Sequence, residues 1–251
     1  MKSVTRILTS LLTAGILSAT LVAQTAGAGR YDQDIQSRVT QKLAEKQEFR
    51  NVRASVEDGI VNLTGSVELY QQKLDAAKRI RKADKVQGVR NLITVGSTAP
   101  DTELAAQLSR KLYFDRVGYD NLFNYVTASV QDGVVTLNGE TRTPVSHDSA
   151  FAIASFMPGV KDVVDNVKVL PTSLFDDQIR LRTARAVYGS ATLGKYGMDP
   201  ARPIRIVVDN GHVTLYGTVD NAMDKQIAGM RASQVFGVFS VQNDLVIAKQ
   251  S

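Results

Sequence analysis

The 251-residue chain has no cysteine and no tryptophan, and only two histidines. Without cysteine there is no disulfide framework, no thiolate zinc site and no thiol nucleophile, and an oxidising compartment stays compatible. The two histidines, His147 and His212, fall near the start of an expected helix and beside an expected turn. Neither has metal-ligand company in the sequence. No nucleophile elbow, phosphate-cradling glycine loop or nucleotide fingerprint follows a strand. The sequence therefore assigns no catalytic residue, no metal and no cofactor, and a non-enzyme is expected. Neither sign of charge is scarce, with 30 Lys and Arg against 25 Asp and Glu and a formal charge of +5.

One apolar run stands apart, Ile7 to Val22, preceded by Lys2 and Arg6 and followed by Ala26-Gly27-Ala28. Residues 1–28 read as a secretory signal peptide cleaved after Ala28. An uncleaved anchor wants about 20 well-apolar residues, and Thr9, Ser10, Thr13, Ser18 and Thr20 dilute this run. Losing Lys2 and Arg6 leaves 28 basic against 25 acidic residues, a mature charge of +3. Export separates such a chain from most nucleic acid, and no recognition motif accompanies its pI of 9.4, so no nucleic-acid partner is expected.

What is present is a threefold repeat. Asp58-Gly59-Ile60-Val61-Asn62-Leu63-Thr64-Gly65 returns as Asp132-Gly133-Val134-Val135-Thr136-Leu137-Asn138-Gly139 and as Asn210-Gly211-His212-Val213-Thr214-Leu215-Tyr216-Gly217. Each copy sets a D-G or N-G turn between alternating apolar and polar residues, a strong β-hairpin signal. The closing glycine marks a bulge or a place where another backbone passes close. Twenty-six residues beyond it stand Asn91, Asp165 and Asn243, each inside another alternating stretch that reads as a strand.

Each repeat opens with a helical pattern: Ile35, Val39 and Leu43, then Leu104, Leu108 and Leu112, then Ile179, Thr183 and Val187. Asp32 and Asp101 stand where N-caps belong. The roughly 20 residues between the hairpin and the last strand have helical spacing, which predicts a right-handed crossover and a last strand parallel to the second. The expected fold is α+β: three tandem small modules, each helix-strand-strand-helix-strand, with a three-stranded mixed sheet covered by two helices on one face. Turn-like stretches place the modules at 29–97, 98–171 and 172–251. The third carries an extra loop, Gly189 to Pro203. Roughly 70 residues per module is small for a self-sufficient core, so neighbours are expected to share buried surface.

The pattern D-G-x-V-x-L-x-G, a helix, and then V-x-x-V-x-N-x-I/L-x-V resembles the BON domain, here in three tandem copies like OsmY-like osmotically inducible periplasmic proteins. The second copy departs with Asp165 for asparagine, and the first has Lys85 where the others have Gly159 and Gly237. The resemblance implies a non-enzymatic periplasmic module that binds phospholipid membranes in envelope or osmotic stress. The motif residues Gly65, Gly139, Gly217, Asn91, Asp165 and Asn243 read as structural.

The candidate lipid-binding residues are Lys73, Lys78, Arg79, Arg81, Lys82, Lys85 and Arg90, a basic run against only Asp75 and Asp84. Such a run attracts anionic headgroups at about 1 kcal/mol per base near the surface, although charge runs also serve as plain solvated faces. Arg79, Lys82 and Lys85, at helical spacing, are expected to share one face. The expected partner is an anionic phospholipid surface; the alternative is a protein-interaction or chaperone-like role among envelope proteins. Of Tyr113, Phe114, Tyr119, Phe123 and Tyr125, most read as core and inter-module packing. A second reading makes Tyr119 and Phe123 an exposed contact loop.

Overall fold

The turn at the centre of each repeat closes with two residues in the left-handed region, Asp58 and Gly59 at φ 51° and 76°, Asp132 and Gly133 at 53° and 78°, Asn210 and Gly211 at 50° and 80°. Both central residues of a type I′ hairpin need that geometry, which is why Asp, Asn and Gly occupy them. These values come from a computed structural model that describes residues 29–96, 99–114, 122–198 and 203–248. The signal-peptide reading of residues 1–28 lies outside them.

The first module runs α1 (Asp32–Ala44), β1 (Val52–Glu57), β2 (Ile60–Val67), α2 (Tyr70–Arg81), β3 (Gly88–Asn91) and β4 (Thr94–Val95). Strand β1 pairs antiparallel with β2, from Val52 opposite Gly65 to Glu57 opposite Ile60. Strand β3 pairs parallel with β2, and β4 continues along it after a break. The second module repeats this as α3 (Asp101–Phe114), β5 (Tyr125–Gln131), β6 (Val134–Thr141), α4 (Pro144–Ser155) and an unbroken β7 (Asp162–Val169). The third has α5 (Leu174–Tyr188), α6 (Lys195–Met198), β8 (Arg205–Asp209), β9 (His212–Tyr216), β10 (Thr218–Val219), α7 (Ala222–Ser233), β11 (Ser240–Asn243) and β12 (Val246–Ile247). The protein is thus α+β, with a mixed three-stranded sheet in every module. The long loop of the third module contains α6, held by Lys195 Nζ 2.7 Å from Asp220 and by the Tyr196 hydroxyl, which donates to Asp224 at 2.5 Å.

The repeated glycine is a point of close approach. A Cβ on Gly65 would lie 2.0 Å from the Asn51 carbonyl oxygen, on Gly139 2.0 Å from that of Tyr125, and on Gly217 2.6 Å from that of Pro203. The neighbour is the entry to the hairpin's own first strand, not a helix. These glycines also sit at φ 106°, 124° and 126°, where a side chain is strained whatever the space.

Asp32 and Asp101 do not act as N-caps. The N-cap of α1 is Tyr31, and Asp32 is the first residue of the helix. Its carboxylate instead accepts the backbone N–H groups of Asp58 and Gly59, both at 2.9 Å. Asp101 takes those of Asp132 and Gly133 at 2.6 and 2.9 Å, and Asp176 those of Asn210 and Gly211 at 3.1 and 2.8 Å. One carboxylate per module therefore pins the hairpin turn to the leading helix through two charge-assisted hydrogen bonds.

The modules share buried surface as their size demands. Tyr70 of α2 is buried in the second module's core, and burial first, then a hydrogen bond to Asp162, pushes its phenol up to about 12. Phe123 belongs to the third module's core, and the Ile206 N–H donates to the Leu122 carbonyl at 2.7 Å. Tyr125 stacks on Tyr216 with ring centroids 3.9 Å apart. Arg142 and the buried Arg180 both bond Asp177, whose carboxyl is held below its ordinary range first by the Arg142 hydrogen bond. Phe123 is thus packing and not an exposed contact; Tyr119 lies outside the described residues.

Candidate functional site

The basic run of the first module begins inside α2 and continues past its end. The last turn of that helix holds Lys78, Arg79 and Arg81, where cations offset the partial negative charge of a helix C-terminus. Arg79 reaches across to α1, its Nε donating to the Lys42 carbonyl at 3.0 Å and its Nη2 pairing with Glu45. This tie draws the ends of α1 and α2 together. Between them lies a cleft lined by Lys42, Lys46, Lys78, Arg79 and Lys82, with Glu48, Asp75 and Phe49. Asp75 accepts a hydrogen bond from Gln71 at 3.0 Å, and among the described residues none of the four lysines pairs with a carboxylate. Positive charge outnumbers negative, and the ammonium groups stand free for an anion.

The structure brings together three of the seven candidates, Lys78, Arg79 and Lys82. Lys73 is half-buried, with its carbonyl accepting from Asn91 and its ammonium 6.0 Å from the Tyr70 ring centroid. Arg81 and Arg90 are exposed but outside the cleft. Lys85 does not share the face of Arg79 and Lys82, because α2 ends at Arg81 and helical spacing stops there. It adopts φ 63°, and its ammonium lies 3.8 Å from the Tyr31 ring centroid. Lys42 and Lys46 complete the site and were missed by the sequence reading. No helical spacing joins them, because α1 ends at Ala44 and Lys46 is extended, so only the fold brings them together.

The asparagine positions are structural ties. Asn91 Nδ2 donates to the Lys73 carbonyl at 2.7 Å, and Asn243 Nδ2 to the Lys225 carbonyl at 2.7 Å, each from 18 residues away. Asp165 cannot donate, and the residue 18 before it is His147, whose Nε2 lies 2.8 Å from Asp165 Oδ2. His147 Nδ1 lies 3.1 Å from Asp148. Burial works against the imidazolium, but the hydrogen bonds and charges of Asp148 and Asp165 outweigh it and raise the His147 pKa. Among the described residues no group of three histidine or acidic side chains could hold a metal ion, and no helix is long and apolar enough to cross a membrane.

The BON domain family is matched over residues 31–97, 100–171 and 190–249. The osmotically inducible protein Y of Escherichia coli (strain K12) is 27% identical over 155 residues, covering 60% of this chain and 74% of that protein. Among solved structures, CdsD, a structural protein of the type III secretion system of Chlamydia trachomatis, is 14% identical with a TM-score of 0.25, covering 87% of this chain and 92% of that one. The periplasmic domain of the type III secretion inner-membrane protein PrgH from S. typhimurium is 14% identical with a TM-score of 0.21, covering 84% and 100%. Overlaps that low carry no argument about arrangement or role.

Proposed function

From the premise that the chain belongs to the BON domain family, we propose that it is a non-enzymatic periplasmic envelope protein of osmotic stress that adsorbs to anionic phospholipid surfaces. The family match and the osmotically inducible relative support the setting. One observation carries the lipid reading: four lysines that pair with no carboxylate among the described residues converge with Arg79 on a single cleft. At about 1 kcal/mol per base near an anionic surface, such a cluster holds a membrane reversibly without burying apolar area.

The test is co-sedimentation with phosphatidylglycerol-containing vesicles across salt. The Debye length falls from about 10 Å at 0.1 M to about 3 Å at 1 M. Binding through the cleft should fall at least tenfold over that range and be lost on purely zwitterionic vesicles. Vesicle binding that is indifferent to salt and lipid charge would remove the cleft from the mechanism, because an apolar contact persists or strengthens in salt, and no binding to any vesicle would favour the protein-interaction reading.

A further inference from the structure

The third module exposes apolar rings at positions where its siblings do not need them. Phe239 covers the turn glycine Gly211, whose Cβ would lie 2.6 Å from its ring; the side chains of Gln87 and Lys161 cover Gly59 and Gly133 at the same place. Phe236 precedes Gly237 as Asp84 precedes Lys85 and Pro158 precedes Gly159. The fold therefore accepts polar residues at these points. Yet Phe236 is 83% exposed, Phe239 71%, Leu174 80% and Phe175 45%. At about 200 Å² per ring, the three phenylalanines present roughly 400 Å² of aromatic surface, the size of patch that marks an interaction site.

The charge that stands against the patch is positive. Phe175 and Phe239 lie 6.2 Å apart, and the Arg182 guanidinium stands 5.7 Å from the Phe236 ring. The carboxylates of α5 and α7 are all committed: Asp176 to the hairpin turn, Asp177 to Arg142 and Arg180, Asp224 to Tyr196 and Lys195. Arg182, Arg185 and Arg231 are exposed on those helices, whose own acids are all so paired. A second copy of the chain would set arginine against arginine across a two-fold axis. An anionic bilayer offers phosphates to the arginines and an apolar layer to the rings.

We propose that this face enters the membrane, with Phe236, Phe239 and Leu174 passing into the headgroup–acyl boundary and Arg182, Arg185 and Arg231 at the level of the phosphates. The proposal rests on the lipid reading but not on the first module's cleft. It supplies the salt-resistant part of the binding, whereas the cleft supplies the salt-sensitive part.

Because the chain lacks tryptophan, Phe236→Trp and Phe239→Trp each give a single fluorescent reporter in the full chain. With phosphatidylglycerol vesicles carrying brominated acyl chains, both should shift to the blue and lose more than half their emission, and the quenching should survive 1 M salt. The double variant Phe236→Asp, Phe239→Gln carries the first module's residues and should keep its circular dichroism while losing at least tenfold in binding at 1 M salt. Wild-type adsorption with unquenched tryptophans, and a double variant that binds as well as wild type, would overturn the insertion face and leave the cleft standing. Absence of wild-type binding to any vesicle would overturn both. Loss of self-association or of a polypeptide contact in the double variant, with lipid binding unchanged, would assign the patch to a protein partner and overturn the proposal equally.

Discussion

Replacing Gly65 by alanine isolates the feature that recurs in all three modules. The added Cβ would sit 2.0 Å from the Asn51 carbonyl oxygen, and the residue would be held at φ 106°. Overpacking costs about 1 to 3 kcal/mol, and a side chain in that backbone region adds about 1 to 3 kcal/mol. Part of the two is the same strain relieved by one shift of the strand entry, so the expected loss is about 3 to 4 kcal/mol. Gly88→Ala in the same module is the control. Its Cβ would meet nothing nearer than Ile60 Cγ1 at 3.9 Å, so it should change stability by less than about 0.5 kcal/mol. Urea unfolding of the full chain, followed by circular dichroism, compares the two. Gly139→Ala should resemble Gly65→Ala, and Gly217→Val should lose at least about 1 to 3 kcal/mol despite its looser 2.6 Å approach. Equal midpoints for Gly65→Ala and Gly88→Ala would refute the close-approach argument.

Asp176→Ala should destabilise the third module by about 2 to 4 kcal/mol, since it strips two charge-assisted bonds from the buried side of the Asn210-Gly211 turn; hydrogen exchange of those two amides should rise with it, and protected amides would contradict the clamp. The His147 pKa is raised in the folded state, so its contribution to stability is full below the ordinary value of about 6.5 and is lost as pH rises through the folded value. Unfolding midpoints taken from pH 5.5 to 8.5 should fall through that window, and Asp165→Asn, which restores the residue found in the other two copies, should flatten the slope. A slope identical in wild type and Asp165→Asn would remove the histidine tie from the account.

The modular fold was legible because the hairpin, the helix stripes and the last strand each follow a short-range rule, and three copies repeat it in one register. The carboxylate clamp was not, because an Asp at a helix start reads as a cap. Its partner turns lie at the unequal separations of 26, 31 and 34 residues, so no periodicity exposes them. The 18-residue tie was available in principle, but its meaning depends on His147 replacing a backbone carbonyl as the partner. The basic site was half legible. Lys78, Arg79 and Lys82 follow from one helix, whereas Lys42 and Lys46 enter only because Arg79 bridges to the end of α1. Lys85 was placed by extending helical spacing past the residue where the helix stops. The aromatic cluster around Phe123 signalled packing without naming its neighbour, and Tyr70 left no local pattern; both reveal their partners only once the chain is folded.

The central claim, that the first module's cleft holds anionic lipid, rests on lysines that form no ion pair among the described residues. Replacing Lys46, Lys78 and Lys82 by glutamate changes the local charge by six units and leaves the Arg79 tie to α1 in place. At about 1 kcal/mol per charge, discounted for screening, binding to phosphatidylglycerol vesicles at 0.1 M salt should fall at least tenfold. The substituted residues are solvent-facing, so the unfolding midpoint should stay within about 0.5 kcal/mol of wild type. Partitioning of the two proteins onto the same vesicles, with circular dichroism confirming equal folding, decides the claim: a tenfold or larger loss is the expected result, and equal partitioning contradicts it.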